Sequence, residues 1–134
     1  MAQTLAWVFG IVLTAVGILG FVPGVTTDGL LLGIFATDTV HNVIHLATGI
    51  LGLIVAMTAG YTMWYFRIFG IVYALVAVVG FVQGDNVLGL ISTNMADHVL
   101  HLAIAVVALW AGFGMRGTSV APAMGSSSGM GGQM

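Results

Sequence analysis

"LGIFATDTVHNVIHLA" (Leu32–Ala47) is answered further along the chain by "LGLISTNMADHVLHLA" (Leu88–Ala103). Each segment is apolar except for one cluster of Asp, Asn and His, and reading the two together decides how the chain is built. Upstream, "FGIVLTAVGILGFVPG" (Phe9–Gly24) lines up in the same way with "FGIVYALVAVVGFVQG" (Phe69–Gly84). The offsets are 60 (Phe9 to Phe69) and 56 (Leu32 to Leu88), so they differ by four residues, which a longer first loop accounts for. The sequence therefore reads as a duplicated hairpin. Each copy holds two apolar stretches, so both copies enter a membrane from the same side, related by a pseudo-twofold axis along the membrane normal.

Composition points to the membrane independently. The chain of 134 residues is 60% hydrophobic and 4% charged, with a mean hydropathy of +1.16. A soluble domain carries roughly 25% charged residues. The net charge of −2 gives no purchase on nucleic acid, and two basic residues form no patch for anionic lipid. No cysteine is present, which excludes disulfides and thiolate metal sites. A span needs about 20 mostly apolar residues. Four segments qualify, at about Leu5–Val22, Val40–Thr58, Trp64–Val82 and Ala96–Phe113. The second and fourth become 38–58 and 94–115 once the polar residues before them are taken as helical. The fold class expected is an all-α integral membrane bundle of four transmembrane helices over residues 1–116, followed by a flexible Gly/Ser/Met-rich tail at 117–134. Met124, Met130 and Met134 in that tail are soft ligands suited to Cu(I), but a plain flexible tail is the better reading. The start has no basic residue ahead of its apolar run, so it reads as a retained helix and not as a secretory signal.

Arg67 and Arg116 fall at the end of the bundle that carries the termini, whereas Asp28, Asp38, Asp85 and Asp97 fall towards the other. Positive residues favour the cytoplasmic side. The expected location is the plasma membrane, with cytoplasmic termini and the polar cluster towards the outer face. Trp7, Trp64 and Trp110 form an aromatic belt at the cytoplasmic end.

The alignment pairs Asp38 with Asn94, His41 with Asp97, Asn42 with His98, and His45 with His101. Asp38, His41 and His45 share one helical face, as do Asn94, Asp97 and His101. Small residues follow on both helices: Thr48, Gly49 and Gly52 on the second, Ala105 and Ala108 on the fourth. Small residues allow close helix approach in membranes, so the two faces are expected to meet at the axis. One bridging water or metal would then bring the His45 and His101 ring nitrogens within about 7 Å.

"GFVPGVTT" (Gly20–Thr27), "LLG.F" (Leu31–Phe35), "HNVIHL" (His41–Leu46) and "NMADHVLHL" (Asn94–Leu102) together resemble a family of small bacterial four-span membrane proteins, domain of unknown function 4383. The resemblance runs from about Ala6 to Gly114 and implies the four-span fold. The shared pattern falls on His41, Asn42, His45, Asn94, Asp97 and His101, while His98 stands where the family usually has Asn. The family supplies no established activity.

Three functions suit these residues. A structural network needs no ligand: Asp38 sits well at a helix N-terminus, Asn42 and Asn94 cap or bridge, and Asp pairs with His across the interface. A metal site would use His41, His45, Asp97 and His101 as a tetrahedral shell for Zn, Cu or Fe. Asp38, Asn42, Asn94 and His98 would then hydrogen-bond behind those ligands. A haem would take His45 and His101 as its two axial ligands, with Gly49 and Gly52 making room for the ring; a chlorophyll on one His is a weaker variant. No C-x-x-C-H is present for covalent haem. Ser92 and Thr93 read as loop or cap residues, and no nucleophile constellation stands beside them, so the reading is non-enzymatic. The lipid bilayer is the certain partner; a homo-oligomer or a larger membrane complex, with this chain as a structural or accessory subunit, is the alternative. The apolar loop "VTTDGLLLGIF" (Val25–Phe35) either caps the polar cluster or merely rests on the bundle.

Overall fold

A computed structural model describes residues 1–58 and 60–115 of the chain. The tail at 117–134 with its three methionines, and Arg116, lie outside the described residues. Four helices carry the fold: α1 (Ala2–Leu19), α2 (Thr39–Met57), α3 (Thr62–Gln83) and α4 (Met95–Leu109), the last running on into a π-helical turn at Trp110–Gly114. All four are long and apolar enough to cross a membrane, the fourth counted through Gly114. They imply a bilayer environment, and their large apolar side chains, such as Ile11, Ile50, Leu75 and Val106, face outwards.

The closest packing is α1 against α2 and α3 against α4. Glycine makes this possible. A Cβ on Gly49 would lie 2.9 Å from the Leu13 backbone carbon, and one on Gly70 would lie 3.0 Å from the Leu109 nitrogen. Gly49 therefore faces α1 and not α4, which corrects the expected packing of α2 on α4. The two hairpins meet mainly through longer side chains. Towards the end that holds the N-terminus these are Phe9, Tyr65 and Phe66, with Ala6, Ala56, Ala108 and Ala111 filling the gaps. The Phe9 and Phe66 rings meet edge to face at 5.2 Å, a favoured aromatic geometry. At the same end Arg67 Nε donates to the Gly112 carbonyl at 2.7 Å. Its guanidinium lies 5.2 Å from the Phe113 ring and 5.3 Å from that of Trp64.

At the other end the connections, apolar loops by sequence, are small antiparallel sheets. The first comprises β1 (Thr26–Thr27), β2 (Leu30–Leu31) and β3 (Phe35–Ala36) in that order; the second pairs β4 (Asn86–Val87) with β5 (Ile91–Ser92). Asp28 and Gly29, which join β1 to β2, both have positive φ, at 53° and 74°, as a two-residue hairpin turn that matches strand twist requires. Leu31 is buried against the bundle.

Matched positions differ in one instructive place. α1 stops at Leu19, short of the expected Val22, whereas α3 continues to Gln83. The residue matched with Gln83 is Pro23, which has no N–H to give the Leu19 carbonyl and whose ring would collide with it. The freed carbonyl accepts instead from the Val22 N–H and the Thr26 hydroxyl.

Candidate metal centre

Both α2 and α4 begin at the sheet end with a side-chain cap. Asp38 Oδ1 accepts from the His41 N–H at 2.8 Å. Asn94 Oδ1 accepts from the Asp97 N–H at 3.1 Å, and Asp97 Oδ2 accepts in return from the Asn94 N–H at 2.9 Å, a reciprocal capping box. Each cap also reaches across to the other hairpin. Asp38 Oδ2 accepts from the Ser92 N–H in β5 at 2.6 Å, and Asp97 Oδ2 accepts from the Ala36 N–H in β3 at 2.9 Å. Asn94 Nδ2 donates to the Ile34 carbonyl at 2.8 Å. Burial alone would raise the Asp38 carboxyl, but the N–H groups of His41 and Ser92 outweigh it and hold the group below the ordinary carboxylate value.

Below this polar layer three imidazoles converge. His41, His45 and His101 are buried, and their ligand nitrogens all lie within 4.8 Å of one another, well inside the separation expected for a shared ligand. Their ring centroids stand 4.5 Å (41–45), 5.5 Å (41–101) and 6.2 Å (45–101) apart. His41 Nδ1 lies 3.0 Å from the Ser92 carbonyl oxygen. That oxygen can only accept, so the ring's proton sits on Nδ1. His41 Nε2 is left buried with no hydrogen-bond partner among the described residues, as is His101 Nδ1. Tyr73, on α3, places its ring 5.6 Å from that of His101, and its ring system is buried. The sequence reading missed Tyr73; the only signal was a phenol in mid-span where the matched residue is Leu13.

The structure separates the remaining candidates from this group. Asp97 lines the same cavity as the three histidines, but it is not among the groups whose ligand atoms cluster, and its Oδ2 is spent on two backbone N–H groups. Asn42 turns towards α1, where its amide lies where a Cβ on Gly20 would stand, and its Oδ1 accepts from the Thr37 hydroxyl. His98 turns towards α3, against Gly80, with Nε2 2.9 Å from the Gly84 carbonyl. Each follows a residue that lines the cavity, His41 or Asp97, by one position. A step of about 100° around a helix carries it off the shared face. Neither Asn42 nor His98 hydrogen-bonds to the three histidines.

The cavity beside the triad has a volume of about 90 Å³. Its walls are Val16, Leu31, Phe35 and Leu100, so the first loop does cover the cluster. The donor set suits a metal ion: three imidazole nitrogens within 4.8 Å of one another are the type and number of ligands a three-histidine zinc site uses. It does not suit a tetrapyrrole. Pockets for such ligands run to roughly 300–1,000 Å³, and the His41 ring occupies the space beside His45 and His101 that a macrocycle would need. Gly49 and Gly52, assigned to the ring in the sequence reading, are already filled: Gly49 by α1, and Gly52 by the Tyr65 hydroxyl, which would stand 2.7 Å from a Cβ there.

Residues 3–114 match the domain of unknown function DUF4383. The chain belongs to that family. No curated protein and no solved structure matches it. The DUF4383 match covers all four helices and every residue of the cluster, and it assigns them no activity.

Proposed function

We propose that this DUF4383 protein is a small, non-enzymatic membrane protein that holds one transition-metal ion on His41, His45 and His101. One observation carries the reading: three buried imidazoles with ligand nitrogens within 4.8 Å of one another, two of them with a ring nitrogen left unpaired. A buried unpaired nitrogen costs roughly 1–3 kcal/mol, and a bound ion removes that cost. Imidazole ligands suit Zn, Cu and Fe. Bound there, the ion would offer Lewis acidity at its open position. The Asp97 carboxyl group lines the same cavity. The two hairpins are copies of one unit, and the ligands come from both. With the Arg67 end of the bundle on the cytoplasmic side of the plasma membrane, the triad lies in the outer half of the bilayer.

Elemental analysis and a visible spectrum of gently purified protein test this. One Zn, Cu or Fe per chain is expected, lost in His45→Ala and His101→Ala, with no haem absorption. Protein that takes up none of the three metals on incubation refutes the reading. It would then favour an accessory subunit whose polar layer serves helix capping, the role that Asp38, Asn94 and Asp97 already fill.

A further inference from the structure

Among the described residues, His41 is the one member of the triad whose ring is hydrogen-bonded from outside its own hairpin. Its Nδ1–H donates to the Ser92 carbonyl at 3.0 Å. The same residue's N–H donates to Asp38 Oδ2 at 2.6 Å, while Asp38 Oδ1 accepts the His41 backbone N–H at 2.8 Å. Asp38 thus grips both ends of the arrangement: the start of the helix that carries His41, and the strand that orients its ring. The strand is only two residues long, Ile91–Ser92, so few ladder bonds hold it without the carboxylate.

We propose that Asp38 is a positioning residue for the metal centre, acting through Ser92 to fix His41 in the Nδ1–H tautomer with Nε2 as its metal-binding atom. The inference rests on the metal reading above. A ligating His whose other ring nitrogen donates to a backbone carbonyl is held in tautomer and orientation, and losing such support typically weakens metal affinity 10–100-fold. The arrangement also makes the site depend on both hairpins: α2 supplies the ligand and β5 aims it.

Asp38→Asn keeps one oxygen for the His41 N–H but cannot accept from Ser92 as well. Asp38→Ser keeps the cap and is too short to reach β5. Gln3→Ala, which removes a 2.7 Å bond to the Ala56 carbonyl at the far end of the bundle, controls for general loss of stability. Co²⁺ alone, titrated into the full chain in lipid nanodiscs, gives affinity and a d–d spectrum. Both Asp38 variants are expected to bind about 10–100-fold more weakly with an altered spectrum, and Gln3→Ala to match wild type. Equal affinity and spectrum in the Asp38 variants overturns the proposal while leaving the metal reading intact. No Co²⁺ binding by the wild type overturns both. Nitrogen-15 NMR of wild-type histidines decides the matter even if the variants do not fold. His41 should carry its proton on Nδ1, and a proton on Nε2 overturns the proposal.

Discussion

Gly49→Ala tests the packing that places His45, one turn earlier on the same helix. The new methyl would meet the Thr14 nitrogen and hydroxyl and stand 2.9 Å from the Leu13 backbone carbon. Carbon atoms prefer about 3.5–4.0 Å, and two of these three neighbours are backbone, which no rotamer change can move aside. The helices must part by roughly 1 Å, and every contact along α1 and α2 loosens together, including Gly10 on Leu53 and Gly17 on Leu46. Overpacking costs typically 1–3 kcal/mol, and a backbone obstacle puts this case near about 3 kcal/mol. At roughly 1.4 kcal/mol per power of ten, the unfolding equilibrium should shift about a hundredfold. Equilibrium unfolding in mixed detergent micelles reads this directly. Ile50→Ala is the control: the neighbouring side chain is 48% exposed, and substitutions on an open face usually stay within about 0.5 kcal/mol. A Gly49→Ala protein as stable as that control would refute the close α1–α2 contact.

Pro23→Gln installs the residue found at the matched position, Gln83, and should let α1 run on by about a turn. Slowed hydrogen exchange at residues 21–23 is expected; exchange rates unchanged at Phe21 and Val22 would show that something other than Pro23 ends the helix. Tyr65→Phe removes the 3.0 Å bond from the phenol to the Thr48 carbonyl and should cost about 1 kcal/mol, read as a lower thermal midpoint with the spans intact. Asp38 predicts an acid limb. Its folded carboxyl lies below the ordinary value, so its contribution is complete above the unfolded value of about 3.9. That contribution drains away as pH falls through the folded value. As pH falls below about 4, wild type should therefore lose more stability than Asp38→Asn, and parallel thermal midpoints there would contradict it.

The spans were legible because lipid leaves a chain few options: long apolar runs must become helices to satisfy their own backbone. The two sheets were hidden by their size. Strands of two residues cannot show alternation, and Leu30, Leu31, Ile34 and Phe35 read simply as apolar loop. One signal did exist, the Asp28-Gly29 dipeptide that favours a two-residue hairpin. The π-helical turn had no such mark: the Gly112 carbonyl bonds to Arg67, far away in sequence. The triad was legible from helical spacing, since His41 and His45 lie one turn apart and His101 matches His45. The separation of Asn42 and His98 was legible in principle too, because Gly20 and Gly80 are the small residues that receive them.

What the alignment concealed is that the histidine triad depends on the two halves being unlike. At the third helical position the first half has His41 and the second has Asp97, and both reach across to the opposite loop. His41 donates to the Ser92 carbonyl, and Asp97 accepts from the Ala36 N–H. The imidazole can make that bond and still keep a second nitrogen for the centre. The carboxylate spends one oxygen on two N–H groups and closes the cap. Had both positions been Asp, only His45 and His101 would remain, a pair without the third imidazole. Had both been His, α4 would lose its capping box. The chain combines one of each. Three imidazoles then line a cavity of about 90 Å³ with the Asp97 carboxyl group beside them.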